Sequence, residues 1–135
     1  MRRTDGWFPR LVAVIDGHAR LPHAWGESDC LCRVADGYLA MTGSDPAAPY
    51  RGRYTSYAEG AALLAADGFA EPVDYVRSLC PEIHPSEAGD GDIGAMLGDD
   101  GTLAFGLICR RLLYVATPAG NGRFPRLRAQ RAFRI

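Results

Sequence analysis

The chain has 135 residues, 47% hydrophobic and 23% charged, and a formal net charge of −1 at pH 7. That length suits one domain, residues 1–135, able to bury a core without disulfide or metal staples. No apolar run approaches the roughly eighteen residues of a membrane span, so none is expected.

Met1-Arg2-Arg3 is followed by Thr4-Asp5-Gly6-Trp7 rather than an apolar stretch, so no cleavable export leader is expected. Residues 8–18 read as a first helix, with Leu11, Val12, Val14 and Ile15 on its apolar side. Leu21-Pro22-His23-Ala24 then connects to a Trp25-Gly26 turn. Asp29 is a good N-cap, and Leu31, Val34, Ala35, Tyr38 and Leu39 recur at three- and four-residue spacing, so a second helix starts at Cys30 and stops at Gly43. Gly37 inside it costs up to about 1 kcal/mol relative to alanine, which points to a closely packed neighbour.

The polar loop 44–55 holds Tyr50-Arg51-Gly52-Arg53-Tyr54 and is long enough to suspect a function. Ser56 and Glu59 form a capping-box pattern for a helix running to Asp67, and Pro72 opens a shorter one over 72–79. The period then changes. Residues 92–97, 102–109, 111–117 and 128–135 read as strands of an antiparallel meander, separated by Asp99-Asp100-Gly101, a tight turn at Arg110, and a turn over 118–122. Helices followed by strands imply an α+β domain with helices on one side of the sheet.

A cysteine at a helix start meets unpaired backbone N–H groups and the positive end of the helix dipole, which favour thiolate and can bring its pKa below the free value of about 8.5. Cys30 is therefore the candidate nucleophile, although the Asp29 charge opposes its ionisation. Cys32, Cys80 and Cys109 make no C-x-x-C pair and no zinc-ligand spacing with histidine, so reduced thiols and no metal or other cofactor are expected. Among His18, His23 and His84, His23 stands nearest Cys30 and is the candidate base. Trp25 is a candidate cleft wall or core residue, and Asp92 a site residue or a backbone ligand at a strand start.

The basic side chains are all arginine, and those from Arg110 onward form a basic C-terminal segment after the acidic stretch from Glu82 to Asp100. No stacking motif accompanies it, so nucleic acid is not expected, and a protein partner is. Tyr50, Arg51, Arg53 and Tyr54 are residue types that carry interface energy. Arg126, Arg128 and Arg134 would share one face of a strand-like tail suited to docking.

Trp25-Gly26, Asp29-Cys30 at a helix start, Gly91-Asp92-Ile93 opening a strand and Phe105-Gly106-Leu107-Ile108 in the next resemble the NlpC-type cell-wall peptidases of the papain-like superfamily. Over residues 8–135 the chain more closely resembles short proteins encoded among the tail genes of phages, prophages and gene transfer agents. The resemblance implies a papain-like domain whose cysteine attacks an amide carbonyl while an imidazole protonates the leaving amine. Cys30 matches the nucleophile, but Ala104 stands where the family has its histidine, and Val115 and Ala116 near its third position are apolar. The expectation is a tail-tip component of a virion, made in the host cytoplasm, whose partners are the tail hub and other tip proteins. The alternative is a peptidoglycan hydrolase acting during DNA entry.

Overall fold

In the computed structural model, which describes residues 2–135, four helices precede a six-stranded antiparallel sheet. Met1, where the leader pattern begins, lies outside the described residues. The helices are α1 Trp7–His18, α2 Cys30–Thr42, α3 Tyr57–Ala66 and α4 Pro72–Leu79. The strands are β1 Glu82–Ile83, β2 Ile93–Leu97, β3 Leu103–Cys109, β4 Leu112–Thr117, β5 Gly120–Pro125 and β6 Arg131–Phe133, in the order β1-β6-β2-β3-β4-β5. No described helix is long and apolar enough to cross a membrane.

Three sequence expectations are corrected. Residues 118–122 are not simply a turn: Thr117 pairs Gly120, and β5 runs on to Pro125 at the sheet edge. The sheet is not a plain meander, because β6 returns across the molecule to lie between β1 and β2, with Phe133 opposite both Ile93 and Glu82. The tail 128–135 is strand only at Arg131–Phe133, and Arg126–Arg128 form a 3₁₀ turn. Pro125 and the turn after it interrupt the alternation on which a one-faced arginine strand depends.

The local signals otherwise act as their chemistry dictates. Asp29 caps α2 by accepting from the Cys32 N–H at 3.0 Å, and Gly43 ends the helix in the left-handed region at φ 86°. A Cβ on Gly37 would lie 2.7 Å from Leu107 Cδ1, so α2 sits directly on β3 there. Ser56 caps α3 by accepting from Glu59 N–H, but the Glu59 carboxylate reaches back to Thr55 rather than to Ser56. Between β3 and β4 both Arg110 and Arg111 have positive φ, 52° and 67°, as a two-residue turn matching the sheet twist demands. Asp90 holds that turn by accepting from Arg110 N–H at 2.7 Å.

Leu11, Tyr38, Met41, Val76, Phe105, Leu107 and Phe133 bury the sheet face that carries α1 and α2. On the far face Ile108, Leu113 and Val115 are covered by Ala88 and Ala129, which flank the two 3₁₀ turns.

Candidate functional site

The root of α2 is built on one carboxylate. Asp29 Oδ2 accepts from Gly26 N–H at 2.8 Å and from the Tyr54 hydroxyl at 2.5 Å, while Cys32 Sγ lies 3.5 Å from the same oxygen and 3.4 Å from Tyr54 Oη. Gly52 N–H donates to Gly26 O at 2.9 Å, so the 50–54 loop is fastened to the Trp25-Gly26 turn. Gly26 has φ +77°, and a Cβ there would lie 2.6 Å from Tyr54 O, which is why no other residue fits this crossing.

The same loop is fixed at its other residues. Arg51 bridges Asp36 Oδ1 at 2.8 Å and Asp45 Oδ2 at 2.9 Å, and Asp36 also holds His18 Nε2 at 2.8 Å. Tyr50 donates to Asp67 Oδ2 at 2.5 Å, a bond that pushes its own pKa up to about 12. Exposed Arg53 donates to Pro49 O. All four loop residues singled out in the sequence thus make hydrogen bonds inside the chain, Arg53 alone from an exposed position.

Arg33, which sequence reasoning missed, holds the α1–α2 connector from beneath. It is 4% exposed, and its guanidinium donates to the carbonyls of Ser28, His18 and Leu21 and to Asn121 Oδ1. Its place among Cys32, Val34 and Ala35 was the available signal, since a charge on the apolar side of a helix needs several acceptors. The connector it fixes carries His23 and Trp25, whose rings meet edge to face at 4.5 Å. Trp25 in turn meets Tyr57 at 6.2 Å.

These residues wall a cleft of about 590 Å³ between α2, the α3–α4 pair and β3. Cys30, His23, Trp25, Tyr50 and Tyr54 line it, and so do Ala104 and Ala116. Tyr57, Glu71 and Asp100 line it too, none of them marked as site residues by the sequence. Arg51, Arg53, Asp92, Arg126 and Arg128 do not. Asp92 accepts instead from Arg3 Nη2 at 2.9 Å, from Gly89 N–H at 2.9 Å and from Ile135 N–H at 3.3 Å, tying the two ends of the described chain together. Arg126 donates to Ala88 O at 2.6 Å, and Arg128 lies 5.7 Å from the Phe124 ring centre.

The helix start does not activate Cys30, which corrects the expectation of a lowered pKa. Although the residue keeps partial exposure, burial of its thiol pushes the pKa up to about 11. The Phe105 N–H opposes the rise and the Asp29 charge adds to it. Desolvation of the thiolate here outweighs the dipole and amide contributions. Cys32, against Tyr54 and Asp29, is likewise raised by burial to about 11.

Among the described residues no hydrogen bond joins the Cys30 thiol to an imidazole: His18 holds Asp36, and His84 pairs with Ser86. Ala104 lines the cleft while also packing against the far-face cluster. All four cysteines are free, and no group of three or more described His, Cys, Asp or Glu side chains converges on a metal-sized site.

No curated protein and no solved structure matches the chain. A family described only as a domain of unknown function, DUF6950, matches residues 2–135, and the chain belongs to that family.

Proposed function

We propose that the protein is a component of a phage-type tail tip, in which a papain-like, NlpC-type scaffold serves assembly against the tail hub and neighbouring tip proteins. The observation that carries this reading is the state of Cys30. Its thiol stands at a helix start in an open cleft, yet burial holds it protonated and it has no imidazole partner. Amide cleavage by a papain-type step needs a thiolate to attack and an acid to protonate the leaving amine. Loss of such proton transfer costs about 10²–10⁴-fold in rate. The resemblance of residues 8–135 to tail-gene proteins supplies the setting, the virion.

One observation favours a second reading. His23 lines the same cleft as Cys30, so a cysteine hydrolase acting on peptidoglycan would use His23 as its base. Particles carrying Cys30→Ser decide between the two. Unchanged assembly and unchanged infectivity are expected, while Arg53→Glu, at an exposed position of the 50–54 loop, lowers particle yield. Normal assembly with lost infectivity in Cys30→Ser would establish the hydrolase, and absence of the protein from purified particles would overturn the tail-tip assignment.

A further inference from the structure

The cleft is acidic while the chain as a whole is close to neutral. All fifteen basic side chains are arginine, yet none of them lines the cleft, whose charged residues are Asp29, Glu71 and Asp100. Asp29 is buried in its own hydrogen bonds, and the exposed Glu71 and Asp100 have no salt-bridge partner among the described residues, although Asp100 Oδ1 accepts from the Thr102 N–H and hydroxyl at 3.0 and 2.7 Å. Trp25 and Tyr57 line the same cleft, 38% and 44% exposed, with rings inclined at 72°. Burial raises the Tyr57 pKa, and the nearby Cys30, Glu71 and Asp100 add to it. Apolar walls, two open aromatic faces and uncompensated carboxylates suit an apolar group flanked by guanidinium or ammonium ions.

The molecule carries such a group on its other side. Leu127 is 76% exposed, the most exposed large apolar side chain among the described residues, and lies between Arg126 and Arg128 on the 3₁₀ turn after β5. Arg126 fastens that turn to Ala88, which belongs to the sheet face opposite the cleft. An aliphatic side chain held in water on an anchored turn, with arginines on both sides in sequence, is left largely uncovered by the described residues.

We propose that Leu127 of one copy enters the Cys30 cleft of the next, with Arg126 and Arg128 facing Glu71 and Asp100, so that copies associate head to tail. The proposal rests on reading the protein as an assembly component, and it adds one contact and its occupant. Because knob and cleft lie on opposite faces of the sheet, the contact is heterologous and builds rings or filaments rather than a two-fold dimer. A volume of about 590 Å³ has room for more than one aliphatic side chain, so part of the turn enters with the leucine.

Sedimentation velocity on the full chain tests this. The wild type is expected to grow in mass with concentration and to dissociate as salt is raised, because exposed ion pairs are screened. Leu127→Asp removes the knob and Tyr57→Arg places a cation in the cleft mouth; each alone is expected to stay monomeric, with an unchanged circular dichroism spectrum. Mixed one to one, they are expected to give a dimer that grows no further, since each keeps one intact half of the contact. A wild type that is monomeric at every concentration overturns the contact, as does a mixture that forms no dimer. Either result leaves Cys30→Ser particles to judge the assembly reading separately.

Discussion

Cys30 and Asp92 are both candidate site residues in the sequence, and their surroundings in the fold are opposite. Asp92 is enclosed by donors: a guanidinium and two backbone N–H groups close on its carboxylate, and Arg3 goes on to bond Ile135 O at 2.9 Å and to lie 4.2 Å from the Trp7 ring centre. Cys30 lines a cleft, and among the described residues its thiol makes no hydrogen bond to a side chain. A satisfied buried carboxylate is part of the framework, whereas the Cys30 thiol, desolvated at the cleft wall, holds no such network together. The partners that folding supplies, more than the residue type, divide structure from function here.

Removing the enclosed group should have the larger effect. Asp92→Ala leaves a partly buried guanidinium and two N–H groups without their acceptor, a loss of about 3 kcal/mol. In urea unfolding this appears as a clear fall in midpoint at unchanged slope. A loss under about 1 kcal/mol would mean the chain ends are held by other contacts and would erase the contrast with Cys30.

The next test reads the thiols together. Burial raises Cys30, Cys32 and Cys80 from 9.0 to about 11 in the folded chain. Below pH 9 the thiols are protonated in both states, and their contribution to stability is complete. Between about 9 and 11 they ionise only in the unfolded state, so stability falls as pH rises through that window. Urea midpoints across pH 8–11 should show the decline, and Cys30→Ser should make it shallower. A flat profile would mean the thiols are more hydrated than the packing implies.

The smallest effect concerns Cys30 alone. Its alkylation by iodoacetamide, followed by mass spectrometry against pH, should be slow at neutral pH, with an apparent pKa above the ordinary thiol value of about 8.5. An apparent pKa below that value would reinstate the activated nucleophile and turn attention to His23.

The sequence by itself determined the local elements and the fold class. Helix starts at Asp29 and Ser56, the stop at Gly43 and the Pro72 entry follow from hydrogen-bond accounting within a few residues, and the change from helical to alternating period separates helices from sheet. Even the tight contact under Gly37 was legible, because a glycine in mid-helix is costly unless a neighbour needs the space. Only the tertiary structure decided the rest. The insertion of β6 between β1 and β2 joins residues distant in sequence, from Ala95 with Arg131 to Glu82 with Phe133, and no local signal specifies such a pairing. The enclosure of Asp92 by Arg3, the buried posts of Arg33 and the meeting of Glu71 and Asp100 around Tyr57 depend on the same long-range packing. The Cys30 thiol shows why this matters: its position at a helix start favours the charged form over a few ångströms, but burial by distant elements removes the water that would solvate that charge, and the second effect is the larger.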